Sequence, residues 1–203
     1  MFDWLTDLVS GSPITYLVVF GAAAGDVLFP VIPSETIVIT ASVLAAQGEL
    51  AVWLIALAAA VGAFVGDNIS YALGRTVGDP VAERLFRGQK GRRRLEWAER
   101  AIRDHGVLLI LVGRFIPGGR TASTFASGTL ELPWRRRFVP ADAAAAVVWA
   151  VYSTALGYLG GSAFKDSLWK SLAASLGAAA VVALGVEVWR RVQKRRGKDV
   201  LGA

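Results

Sequence analysis

The sequence predicts an all-α polytopic membrane protein. Its expected architecture is an inverted repeat of a re-entrant helical hairpin plus a transmembrane helix, followed by a final transmembrane helix. Three observations predict it. Of 203 residues, 54% are hydrophobic, and they fall in charge-free blocks at 51–66, 143–164 and 171–186 instead of being spread as in water-soluble domains. The basic residues are bunched, with eight Lys and Arg in 84–103, three at Arg135, Arg136 and Arg137, and six in 190–198. Finally, Pro and Gly interrupt two apolar stretches, at Pro30 and Pro33 and at Pro117, Gly118 and Gly119.

Each element follows from these in turn. A helix that crosses a bilayer takes about 20 mostly apolar residues. Block 143–164 meets this alone. Block 51–66 meets it by running past Asp67 towards Gly74, and block 171–186 by starting near Leu168. The positive-inside rule places all three basic segments in the cytoplasm. Between 104 and 134 the chain therefore leaves the cytoplasm and returns. At about 1.5 Å per residue that stretch is too short for two full crossings. Residues 107–116 enter, the chain turns at 117–119, and 121–130 leave on the same side. The N-terminal stretches 14–29 and 36–46, broken between Pro30 and Pro33, form a like hairpin from the outside.

The expected boundaries are then a first repeat at 13–78, a basic cytoplasmic loop with an interfacial helix at 80–104, and a second repeat at 105–164. A last transmembrane helix covers 166–190, and a basic cytoplasmic tail covers 191–203. The halves share a spacing: Pro33 precedes Gly74 by 41 residues and Pro117 precedes Gly157 by 40. Each of these glycines opens a pair four apart, Gly74/Gly78 and Gly157/Gly161. Inverted repeats with broken helices mark secondary transporters, whose site lies where the breaks meet. Chance likeness between Ala- and Gly-rich helices is the competing explanation.

Composition removes several function classes. The chain has no Cys and one His, His105, so disulfide, thiol and Cys- or His-based metal chemistry are not expected. No catalytic constellation, phosphate-binding glycine loop or nucleotide fingerprint is present. The expectation is a transporter and not an enzyme, with no cofactor besides a proton gradient. The basic excess reads as topology, not nucleic-acid binding, with membrane lipids as expected partners; a lipid substrate is what the family resemblance given below implies. The sequence specifies no oligomeric state. Asp3 and Asp7 near the start argue against a cleaved signal peptide.

Four charges lie at the breaks or inside a span: Glu35, Asp67, Arg114 and Arg120. Each costs about 2.5–3.5 kcal/mol at the bilayer centre, and such residues usually pair and mark a pathway. Two guanidiniums facing a cavity suit a phosphate. The half-helix after Gly119 points its N-terminus at the same region. Glu35 and Asp67 are then candidates for proton coupling. The bland alternative is that Arg–carboxylate pairs only tie the hairpins together, or that Asp67 bonds Asn68. Asp26 and Asp142 sit closer to interfaces and are weaker candidates. Arg75 is expected to snorkel, and His105 to be interfacial.

At these residues the chain resembles the DedA family, also called the VTT or SNARE-associated domain. The matching stretches are Phe29-Pro-Val-Ile-Pro-Ser-Glu35, Gly66-Asp-Asn-Ile-Ser-Tyr-Ala-Leu-Gly-Arg75, Gly113-Arg-Phe-Ile-Pro-Gly-Gly-Arg120 and Gly157-Tyr-Leu-Gly-Gly161. The likeness covers about residues 15–165. It implies two opposed re-entrant hairpins in a multi-pass protein of the bacterial inner membrane. It also implies proton-motive-force-linked translocation of undecaprenyl phosphate, or of phospholipid in other members. The family's acidic pair matches Glu35 and Asp67, and its arginine pair matches Arg114 and Arg120. Two rival functions stay open on the residues alone. One is a proton-coupled exporter of small cations or drugs. The other is a scaffold that binds partners through 84–104 and the tail.

Overall fold

The computed structural model describes residues 13–27, 34–85, 102, 104–114 and 119–163, with 172, 173, 177 and 181; for 79–85 it describes the backbone only. Six α-helices are described: α1 (Ile14–Gly25), α2 (Ser34–Ala46), α3 (Val52–Leu85), α4 (Asp104–Gly113), α5 (Gly119–Thr129) and α6 (Val139–Ala163). A π-helical turn, Trp134–Phe138, leads directly into α6. No strand occurs among the described residues.

Among the described residues, two stretches are long and apolar enough to cross a bilayer: Val52–Gly78 and Trp134–Ala163. Along α3, Trp53, Leu57, Val61, Val65, Ile69, Leu73 and Val77 are all exposed. They recur every fourth residue over about 36 Å of helix. In water so long an apolar stripe would be a liability; in hydrocarbon it is the surface the solvent requires. By contrast α1 and α2, at 12 and 13 residues, reach only about 18–20 Å. They are too short to cross the roughly 30 Å core alone.

Helix α3 runs on to Leu85, so the segment expected to begin a loop at residue 80 starts as helix. Pro80 lacks its N–H and crowds the carbonyl four residues back, a cost the helix carries, and Val81, Ala82, Glu83, Arg84 and Leu85 all tolerate helix. The interfacial helix expected within 80–104, the span expected at 166–190 and the tail at 191–203 lie almost wholly outside the described residues.

The chain divides into two compact units. Unit one comprises residues up to Gly66 together with Ala146–Val186. Its core is built from Val19, Ala23, Val38, Ala41, Leu44, Ile55, Ala59, Ala63, Trp149 and Ala150. The many alanines let backbones approach closely, as membrane helix contacts require. Glycine takes this further. A Cβ at Gly62 or Gly66 would strike the carbonyl oxygen of Phe20 or Ala24 on α1. A Cβ at Gly157 would lie 2.5 Å from the Ile39 carbonyl oxygen on α2, and one at Gly161 2.7 Å from Ala46 Cβ. Ser34 Oγ donates to Asp26 Oδ2 at 2.6 Å, clipping the ends of α1 and α2. Between α2 and α3 the chain turns at Gly48, φ +93°, a conformation glycine adopts without strain.

Unit two comprises Asp67–Ala145 and residues from Glu187 onward. Tyr71, Ile102, Ile110, Leu132, Phe138, Ala141 and Ala145 form its core. The Tyr71 hydroxyl donates to the Leu132 carbonyl at 2.7 Å, and its ring lies 4.5 Å from that of Phe138. Helix α5 meets α3 backbone to backbone. A Cβ at Gly74 would strike the Phe125 carbonyl oxygen, one at Gly128 the Tyr71 carbonyl oxygen, and one at Gly78 the Thr129 side chain. Helix α5 ends with Leu132 N–H bonded to Ser127 O at 2.9 Å and Glu131 N–H to Gly128 O at 3.0 Å, a Schellman ending. Glu131 occupies its left-handed position, φ 50°.

Three substitutions test these features. Gly74→Val is expected to cost about 1–3 kcal/mol by overpacking, whereas Gly21→Ala, with nothing within 4 Å, leaves stability unchanged or higher. Glu131→Gly is expected to raise stability by about 1 kcal/mol, relieving the left-handed conformation. Thermal unfolding in detergent micelles checks all three.

Candidate functional site

Unit two gathers its buried charges around one carboxylate. Asp67 projects from α3 and is fully buried. Arg114, one residue past the end of α4, donates from Nη1 to Asp67 Oδ2 at 2.5 Å. Arg120, in the first turn of α5, donates from Nε to Asp67 Oδ1 at 2.7 Å. The arginines are themselves only 9% exposed. They converge because α4 and α5 touch beside the break between them: a Cβ at Gly113 would lie 2.9 Å from Ser123 Oγ and 3.1 Å from the Gly119 carbonyl oxygen. Thr124 Oγ1 and Ser70 Oγ, hydrogen-bonded at 2.9 Å, hold α5 against α3 one turn further on.

A second carboxylate belongs to this cluster. Asp142, in the first turn of α6, is fully buried, and its Oδ1 lies 3.6 Å from Arg114 Nη1. Its Oδ2 accepts from Asn68 Nδ2 at 3.3 Å. Asn68 Oδ1 in turn accepts from Trp134 Nε1 at 2.8 Å. Asp142, expected to be a weaker candidate, is thus part of the buried cluster, eight residues into the helical stretch that starts at Trp134 and turned inward. Asn68 and Trp134 carry no charge, so nothing in the sequence marked them as members of the site. The only available signal for Asp142 was that any ionisable residue inside a span is a candidate.

The remaining expected residues fall as follows. Asp67, Arg114 and Arg120 come together as described. Glu35 belongs to unit one, exposed in the first turn of α2, where a carboxylate complements the helix dipole. Of the expected breaks, Gly119 is described and is the first residue of α5; it opens the helix instead of interrupting it. Pro30, Pro33, Pro117 and Gly118 lie outside the described residues. Asp67 bonds the arginines, not Asn68. Arg75 is exposed, with Glu131 at 3.9 Å. His105 is exposed at the start of α4, along a surface pocket of about 580 Å³ shared with Asp104 and Arg137. Among the described residues no group of three or more His, Asp or Glu is arranged to hold a metal ion.

The sequence profile of the VTT domain matches residues 32–159. The chain belongs to the VTT-domain, or DedA, family. This VTT-domain chain is 35% identical over 167 residues to an uncharacterized membrane protein of Mycobacterium tuberculosis, covering 79% of this chain and 76% of that one. It is 30% identical over 175 residues to the inner membrane protein YohD of Escherichia coli, covering 81% and 84%. Its identity to the Escherichia coli protein named DedA is 27% over 155 residues, covering 73% and 68%. No solved structure matches it. Each region of the buried cluster, Asp67 to Asp142, lies inside the matched domain. The VTT-domain chain is thus a membrane protein, and its most polar buried site sits within the family's own segment.

Chemically, the cluster offers two guanidiniums, each a planar fork suited to an oxyanion, already engaged with an internal one. Losing one partner of a buried ion pair costs about 3–5 kcal/mol, because the other charge is stranded. Asp67→Ala is expected to fall in that range. Arg75→Ala, whose pair with Glu131 is exposed, is expected to cost under about 1 kcal/mol. Comparing the two by urea or thermal unfolding in micelles checks the difference; equal losses would contradict it.

Proposed function

We propose that the protein is an inner-membrane transporter that carries the head group of a lipid phosphate across the bilayer, the substrate class being undecaprenyl or polyprenyl phosphate. The proton-motive force drives it, and it performs no catalysis. The observation that carries this reading is the convergence of Arg114 and Arg120 on the one buried carboxylate of Asp67. Two guanidiniums that share a carboxylate are arranged to share a phosphate, which presents the same fork of oxygens with more charge. The phosphate exchanges with Asp67 as the partner of the arginines, and Asp67 holds them in place between cycles. The start of α5 at Gly119 adds backbone N–H groups beside Arg120, a favourable setting for an anion. The polyprenyl tail stays in lipid while the head group passes.

On this reading α1–α2 and α4–α5 are the re-entrant hairpins of an inverted repeat, and the C-terminus is cytoplasmic. The matched glycine pairs support it. Gly74 and Gly78 on α3 seat α5, and Gly157 and Gly161 on α6 seat α2. Each long helix thus receives the second arm of the hairpin from the other repeat. Glu35, at the start of α2, is a proton-coupling carboxylate in this scheme.

Translocation of undecaprenyl phosphate in proteoliposomes tests the proposal. Arg114→Ala and Arg120→Ala are expected to slow it roughly 10- to 100-fold, the loss of a charge-assisted bond, with normal insertion. Arg114→Lys and Arg120→Lys should also be slow, since an ammonium cannot reproduce the bidentate fork. Wild-type rates in both Lys variants would sink the phosphate assignment and favour a structural role for the arginines.

A further inference from the structure

We infer that Asp142 is the carboxyl group through which the arginine site takes up a proton with each anion it binds. The inference rests on the lipid-phosphate reading and names the residue that links phosphate to proton. It follows from how differently the two buried carboxyl groups are satisfied. Both Asp67 oxygens receive a guanidinium N–H, at 2.5 and 2.7 Å, so both are satisfied. Asp142 is held from one side only. Trp134 Nε1–H occupies Asn68 Oδ1, which fixes the amide so that Nδ2 donates to Asp142 Oδ2. The other oxygen, Oδ1, is buried and accepts no hydrogen bond among the described residues; Arg114 Nη1 stands 3.6 Å away. A buried ionised oxygen without a donor is costly. A protonated one has the Asp67 carboxylate beside it, because the same Arg114 Nη1 bonds Asp67 Oδ2 and stands 3.6 Å from Asp142 Oδ1. Two carboxyl groups in such contact favour holding one proton between them.

Charge balance gives the coupling. The charged groups facing Asp142 are Asp67 from α3, Arg114 from the end of α4 and Arg120 from α5. Above the pH at which Asp142 ionises in the free site, both carboxylates are charged and the four charges cancel; there a bound anion draws the proton back. A phosphate ester that displaces Asp67 adds at least one negative charge, and leaves two carboxylates facing each other with the arginines occupied elsewhere. A proton from bulk water on Asp142 restores the balance and bonds Asp142 to Asp67. By linkage, loss of that proton weakens the anion by the same factor.

The test counts protons. Purified full-length protein in nanodiscs is titrated with dibutyl phosphate, a phosphodiester of constant charge from about pH 5 to 9, and proton uptake is read from calorimetry in buffers of different ionisation enthalpy. The wild type is expected to take up close to one proton per anion over part of that range, with affinity falling about tenfold per pH unit above the midpoint. Asp142→Asn should bind the anion with no uptake and no pH dependence. Anion binding by the wild type without uptake, or unchanged uptake by Asp142→Asn, overturns the role of Asp142 and leaves the phosphate reading intact. Failure of the wild type to bind the phosphodiester overturns both. If Asp142→Asn does not fold, Asp142→Glu should retain uptake with a displaced pH midpoint, and an unmoved midpoint overturns the assignment.

Discussion

Asp67 carries two arginines with its two oxygens, and unit two is arranged around that fact. Each guanidinium alone would be an expensive guest in a buried apolar setting. Together, without Asp67, they would repel across the same few ångströms. The shared carboxylate turns two costs into one bonded group and joins three separate chain segments, α3, the end of α4 and the start of α5. This works only if the segments come very near one another. The glycines supply that nearness: Gly74 and Gly128 let α3 and α5 meet at backbone distance, and Gly113 lets α4 lie close against α5. Packing by small residues and pairing of large charges are therefore one design, since neither holds without the other.

Much of this was legible in the sequence. The two described spans are readable because hydrocarbon sets a length, and 143–164 and 51–74 match it. Asp67, Arg114 and Arg120 are readable because charge inside an apolar block is conspicuous. What escaped notice did so for definite reasons. Asp142 stands near the start of its apolar block, and only the fold shows that its side chain turns inward to Arg114. Asn68 and Trp134 are ordinary residues in composition, and only a fold can show that they end on the same carboxylate. The continuation of α3 past Pro80 was hidden because a proline removes one hydrogen bond without ending a helix whose neighbours favour it.

The two units also differ in how they are held. Unit one relies on alanine-rich packing, with Asp26 and Ser34 closing the mouth of a helix pair. Unit two adds a polar interior, in which Tyr71 bonds the Leu132 carbonyl and Thr124 bonds Ser70. Because hydrocarbon offers polar groups no competing partners, such bonds specify which helix faces meet, where apolar contact alone would allow sliding.

The glycine contacts carry a consequence for sequence divergence. Gly78 faces the side chain of Thr129, so a larger residue at one position is open to compensation by a smaller one at the other, and such pairs can covary. Gly74 faces the carbonyl oxygen of Phe125 and Gly128 that of Tyr71. Every amino acid brings that same oxygen, so no second substitution relieves the clash. These two glycines have no partner with which to drift, and of the three glycines described on the α3–α5 seam Gly78 alone has such freedom.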